Sequence, residues 1–291
     1  MPTSKTLYRW SGYLFMLPYL LAFAAFLVAP LLFGIGLSFY RWEMLSPVPP
    51  QWHGLGNYSE ALTDTYFWKA VWATLRFVIM QVPLNIGLAL LIALAVNEIP
   101  RGAQAFFRAS FFFPTIVSIS VAGILWRWFY SSEFGLFNAF LSPFGWKAPW
   151  ITDPAWAMKS IVMMTLWWTV GGAFVILLAG LHQIPAHYYE AAAIDGANVF
   201  QRFINVTIPS LRPVLLFVVV MNIIGSFQVF GQTFMITRGG PEHSTRSLVQ
   251  YIYDQAFGNY RMGYGAAMSW LLFVIIAVIS FAQFRIMREE R

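Results

Sequence analysis

Residues 190–213 read EAAAIDGANVFQRFINVTIPSLRP, a polar, helix-forming segment set between two long apolar runs. Pro185 begins a short helix, AHYYEAAAID supplies helix formers, and Gly196 is placed to end it in a left-handed cap. VFQRFINV then puts Phe200, Phe203 and Ile204 at i, i+3 and i+4, which predicts a second short amphipathic helix before Pro209 opens the next run. The spacing predicts a helix-turn-helix hung from the apolar part of the chain. On its residues alone it fits two roles: an interfacial helix resting on headgroups with Arg202 toward phosphate, or a shaped surface offered to a partner.

Outward from that segment the composition changes. Of 291 residues, 59% are hydrophobic and 10% charged, against roughly 25% charged in an average soluble domain. This identifies an integral membrane protein. Six apolar runs, near 11–40, 70–97, 105–126, 161–181, 214–236 and 264–284, are each long enough to span, since about 20 helical residues cover a ~30 Å hydrocarbon core. They are continuous rather than alternating, which disfavours a membrane barrel and predicts an all-α protein of six transmembrane helices. The first run follows Lys5 and Arg9 and contains AFAA at 22–25; at about twice the length of a signal-peptide core it reads as an uncleaved anchor, kinked at Pro18 and Pro30. Residues 1–68 form an N-terminal part with the first helix and first outer loop. Residues 69–291 form a core of five helices that includes the polar loop 185–213.

Charge sets the expected orientation. With the N-terminus inside, Lys5, Arg9, Arg101, Arg108, Arg202, Arg212, Arg285, Arg288 and Arg291 are cytoplasmic, and Arg41, Lys69, Lys147, Arg238, Arg246 and Arg261 are outside. That bias places both termini in the cytoplasm. The net charge of +6 comes from scattered residues, which suits membrane anchoring and not nucleic acid. Arg76, Arg127 and Lys159 fall toward the outer ends of their runs, where snorkelling or pairing with an outer-loop carboxylate accounts for them.

Several chemistries lack their residues. Cysteine is absent and no HExxH pattern occurs, so no metal site is expected; no GxxxxGK[ST] loop occurs, so energy from ATP must come from another chain. The six runs contain no Asp, Glu or His. An ion-coupled secondary transporter would show such groups at mid-membrane, and an intramembrane enzyme would need a nucleophile and base there. The fifth run carries neutral polar residues instead: Asn222, Ser226, Gln228 and Gln232, with Asn222 and Ser226 on one helical face. With Trp167 and Trp168 as stacking rings these suit a sugar, or they join helices to one another or to a second subunit.

The polar segment resembles the EAA loop of ABC importer permeases, whose pattern is Glu-Ala-Ala, three residues, Gly, nine residues, then Ile-x-Leu-Pro. Glu190, Ala191, Ala192, Gly196 and Pro209 match in register, with Val206 and Ile208 as conservative replacements. WHGLGNY at 52–58, DTYFWKA at 64–70, AGLHQIP at 179–185, TRGGPEHST at 237–245 and YIYDQAF at 251–257 are similar to carbohydrate-uptake permeases of the maltose and glycerol-phosphate type. Ala73 departs from that pattern, where the family has Asn before Thr.

The resemblance implies a type I ABC importer permease fold in which the EAA loop is a coupling helix seated in a cleft of a cytoplasmic ATPase. Glu190 would make the polar contact, Ala191 and Ala192 would permit close packing, Asp195 would belong to the same ATPase-coupling set, Gly196 would provide the turn, and Pro209 would lead to the fifth span. It implies a second, homologous permease chain, two ATPase subunits that bind the ATP and Mg, and an extracellular or periplasmic solute-binding protein. No cofactor would sit in this chain. The setting would be a bacterial or archaeal inner membrane, and the cargo a sugar, oligosaccharide or polyol, with a non-sugar solute as the alternative.

Overall fold

Pro30, Pro114 and Pro209 each fall at or near an irregularity in a helix, while Pro18, Pro83 and Pro213 lie within uninterrupted helices. In the computed structural model, which describes residues 4–288, the chain runs α1 (Ser4–Phe23), a π turn (Ala24–Val28), α2 (Ala29–Ser38), β1 (Tyr40–Arg41), β2 (Gln51–Trp52), α3 (Gly56–Thr63), α4 (Thr65–Asn97), α5 (Arg101–Ile116) and α6 (Ile119–Phe129). It continues through α7 (Leu136–Leu141), α8 (Pro154–Leu181), α9 (Ala186–Ile194), α10 (Val199–Arg202), a π turn (Phe203–Thr207), α11 (Ile208–Phe227), α12 (Gly231–Ile236), α13 (Leu248–Tyr253) and α14 (Met262–Arg288). Among the described residues, five stretches are helical and apolar enough to cross a membrane: Phe15–Ser38, Thr65–Asn97, Pro154–Leu181, Val199–Phe227 and Met262–Gln283. The all-α membrane fold is as expected, and a sixth apolar stretch is present as a bent pair, the geometry of a broken span or of a re-entrant loop.

That pair corrects the third predicted run. Gly102–Ile116 and Ile119–Phe129 meet at 92°. Pro114 has no N–H for the helix ladder, and Val117 and Ser118 take extended conformations at ψ 130° and 138°. The apolar run is continuous in sequence, so hydropathy alone did not reveal the break.

The fifth run is corrected too. Its helix begins at Val199 and ends at Phe227, ahead of the predicted 214–236. Pro209 does not start a new helix, because a π turn precedes it: the Ile208 N–H reaches back to the Phe203 carbonyl. Pro30 is accommodated in the same way, with the Ala29 N–H bonded to the Ala24 carbonyl. The wider turn shifts the ladder where proline offers no donor, so each helix continues past it.

The chain forms two compact units. One takes the chain up to Asp64 together with Ile252–Phe273. In it β1 pairs antiparallel with β2, Glu43 bridges to Arg261, and the Arg261 guanidinium donates to both Glu60 carboxylate oxygens at 2.6 and 2.7 Å. The other takes Thr65–Tyr251 and the chain from Val274 onward. Ile252–Phe273 thus joins the N-terminal part, a pairing of segments distant in sequence. The termini predicted to be cytoplasmic lie, at 1–3 and 289–291, outside the described residues.

The core of the larger unit is the packing of α4 on α8. Ala73 and Phe77 meet Met158, Ile161 and Val162, while Ala89, Ala93 and Val96 meet Val170, Phe174, Leu177 and Leu181. Contacts advance along both helices together, so the two run parallel. None of Arg76, Arg127 and Lys159 forms an ion pair among the described residues. Arg76 donates to the Ser244 carbonyl, and the Lys159 ammonium lies 5.3 Å over the Trp156 ring.

Candidate transport cleft and coupling loop

Midway along the α4–α8 seam the apolar packing gives way to amides and hydroxyls. Gln81 and Asn85, one turn apart on α4, are 2% and 0% exposed and donate to the Thr169 hydroxyl at 3.2 and 2.6 Å. Thr169 in turn donates to the Thr165 carbonyl at 2.7 Å. The carbonyl oxygens of Gln81 and Asn85 are buried without a hydrogen-bond partner. Leaving a buried acceptor unpaired costs about 1–3 kcal/mol, which makes this seam a natural receiver of hydroxyl donors.

Gln81 opens onto a cleft of about 310 Å3 lined also by Phe77, Thr165, Trp168, Thr169, Asn222, Ser226 and Gln232. The lining is neutral and mixes one indole with amides and hydroxyls. Trp168 is fixed by donating its Nε1–H to the Val117 carbonyl at 2.9 Å, at the break between α5 and α6. That carbonyl is free to accept because the backbone is extended there. Asn222 donates to the Val218 carbonyl of its own helix at 2.9 Å.

Four of the six residues singled out for a substrate path, Asn222, Ser226, Gln232 and Trp168, therefore share one cleft. The other two do not line it. Gln228 lies beyond the end of α11 and is exposed. Trp167 is about 100° around α8 from Trp168 and lines a separate, mostly apolar cleft with Leu88, Phe111, Pro114 and Trp126. Sequence reasoning missed Gln81, Asn85, Thr165 and Thr169. The i, i+4 spacing that drew attention to Asn222 and Ser226 also marks Gln81/Asn85 and Thr165/Thr169.

The loop 185–213 has the predicted helix-turn-helix. Pro185 is the N-cap of α9, and the helix ends at Gly196 with φ +78°. The Ala197 N–H bonds the Ala192 carbonyl at 2.9 Å and the Gly196 N–H bonds the Ala193 carbonyl at 3.1 Å, the paired bonds of a Schellman cap. Asn198 then starts α10 with a capping box: its side chain accepts from the Gln201 N–H at 2.9 Å, and Gln201 accepts from the Asn198 N–H at 2.8 Å. Glu190, Ala191, Asp195, Gly196 and Pro209 are exposed and Ala192 partly so. Ile194, Val199 and Phe200 are 86, 78 and 69% exposed, leaving an apolar surface beside the acidic Glu190.

Against known proteins, the profile of the family described as binding-protein-dependent transport system inner membrane component matches residues 85–289. A probable ABC transporter permease protein, YesP of Bacillus subtilis, is 36% identical over 94% of this chain and 89% of its own length. The lactose transport system permease protein LacF of Rhizobium radiobacter is 34% identical over 99% and 97%. In fold, the chain is similar to a bacterial ABC transporter involved in the import of the acidic polysaccharide alginate, at TM-score 0.83 and 23% identity, covering 98% of both chains.

Proposed function

The chain belongs to the family of inner membrane components of binding-protein-dependent transport systems, and on that premise we propose that it is one permease subunit of an ATP-driven importer of a neutral carbohydrate or polyol. The observation that carries the cargo class is the neutral cleft: amides and hydroxyls from α4, α8 and α11 around the Trp168 ring. Hydroxyl-rich solutes match these groups, and a charged solute would find no counter-charge in the lining. Similarity to the lactose permease favours the same class.

Energy enters through the α9–α10 loop, which docks on a cytoplasmic ATPase. Exposed Glu190 and the apolar Ile194, Val199 and Phe200 present a mixed contact surface, and Ala191 and Ala192 keep the helix face low enough for close approach. Both termini lie on that cytoplasmic side. A second permease chain completes the pathway, two ATPases bind ATP and Mg, and a solute-binding protein delivers cargo from outside. Movement of α9 passes to α11, whose helix continues from α10 through the π turn, and so reaches Asn222 and Ser226.

The test is uptake by the full assembly in proteoliposomes. ATP-dependent accumulation of neutral oligosaccharides, requiring the binding protein, is the expected result. Accumulation driven by a proton or sodium gradient without ATP overturns the assignment.

A further inference from the structure

A cluster of basic groups sits at the opposite end of the larger unit from the coupling loop. Because α4 and α8 run parallel, with Ala73 beside Met158 and Val96 beside Leu181, the first turns of α4 lie far from the loop that follows Leu181. There the exposed Tyr66 ring has the Lys69 ammonium 5.4 Å from its centroid, the Arg246 guanidinium at 5.3 Å and the His243 ring edge-on at 5.5 Å. Arg76 joins this end by donating to the Ser244 carbonyl at 3.3 Å.

The charges are not balanced. Residues 65–81 and 237–251 hold Lys69, Arg76, Arg238 and Arg246 against a single carboxylate, Glu242, and none of the four cations forms an ion pair among the described residues. Arg246 is stacked between Tyr66 and Tyr251, 4.6 Å from the latter, with its Nε and Nη2 buried and unpartnered; the Arg76 Nε is likewise unpartnered. Buried guanidinium donors without acceptors are costly. The loop does not collapse to relieve them, because Thr237, Gly240 and Thr245 tie it internally at 2.7 Å.

We infer that this cluster is a docking point for an acidic surface of the solute-binding protein, with Arg246 leaving its tyrosine pair to form an ion pair with a partner carboxylate. Swinging out costs Arg246 no hydrogen bond at Nε or Nη2, and it gains a charge-assisted one. The cations left in place steer the approach of an acidic partner. The inference rests on the importer reading above, which puts this end of the unit outside the cell.

The test uses the assembled transporter in phosphatidylcholine nanodiscs and reads ATPase stimulation across a titration of the cognate solute-binding protein. Arg246→Glu, and separately the exposed Lys69→Glu, are expected to raise the half-saturating concentration by about tenfold or more. Lys69→Glu stands clear of the loop's packing, so it reads docking even where Arg246→Glu disturbs the fold. An acidic-to-basic reversal on the binding protein is expected to recover Lys69→Glu. Half-saturation within about twofold of wild type for both variants overturns the inference and leaves the importer reading standing. A shift that appears only in discs containing phosphatidylglycerol assigns the cluster to anionic headgroups and also overturns it. No stimulation of the wild-type assembly by the binding protein removes the importer reading itself.

Discussion

The Tyr189 hydroxyl lies 3.0 Å from the Thr207 hydroxyl, joining α9 to the π turn that feeds α11. Thr207 is buried and Tyr189 half-buried, so the bond is partly shielded from water. It gives α9 a second hold on the transmembrane helix besides the chain through Gly196. Removing it with Tyr189→Phe is expected to cost about 1 kcal/mol and to lower the solute moved per ATP while hydrolysis continues. Thr207→Val should do the same, and the double variant should be no worse than either alone, the signature of one shared interaction. Uptake and hydrolysis measured in the same proteoliposomes check this; an unchanged ratio would sink the transmission role.

Gly196 has space for a side chain but not the backbone for one. A Cβ there would meet nothing within 4 Å, yet φ is +78°. Gly196→Ala is therefore expected to cost about 1–2 kcal/mol from the left-handed conformation alone, loosening the cap without a clash. Gly196→Asn should lose less, because Asn tolerates that conformation. Retention of the ATPase on the permease through detergent washing gives the readout, with the order Gly, Asn, Ala expected.

How much of this was legible in the sequence depends on the range of the interaction concerned. The Gly196 cap and the helix before it follow from neighbours a few residues apart, and they were read directly. The π turn before Pro209 was not, because Pro209 signals a disruption and the ladder decides how it is absorbed. The break at Val117–Ser118 follows Pro114, and Trp168, 51 residues away, holds it through a contact no local pattern encodes. In the cleft, Asn222 and Ser226 stood out for their spacing, while Gln81 and Asn85 carried the same signal in a run whose Arg76 drew the attention. Trp167 and Trp168 are adjacent in sequence, and only the helix rotation separates their surroundings.

That separation can be tested with two substitutions. Trp168 lines the neutral cleft and Trp167 faces the apolar one. Trp168→Ala is expected to raise the KM for uptake, and Gln81→Ala to raise it roughly fivefold for loss of about 1 kcal/mol of hydrogen bonding. Trp167→Ala should leave KM near wild type. Initial uptake rates against cargo concentration decide it, and equal effects from the two tryptophans would count against the cleft.

Gly171 and Gly172 are neighbours on α8 with opposite requirements. A Cβ on Gly171 would run into the backbone of α5, at the Phe111 carbonyl and 2.8 Å from the Phe112 Cα, whereas one on Gly172 would meet nothing within 4 Å. The obstacle at Gly171 is main chain, so no rotamer change relieves it; α5 has to move away, and with it the break that orients the Val117 carbonyl toward Trp168. Gly171→Ala is expected to destabilise by about 1–3 kcal/mol. Gly172→Ala is expected to be neutral or to stabilise by up to about 1 kcal/mol, since it removes a glycine from a helix interior at no steric cost. Thermal unfolding of the two purified variants in the same detergent measures the contrast. Equal shifts would mean that α5 does not approach α8 this closely, and the hold on Trp168 would have to be rebuilt from other contacts.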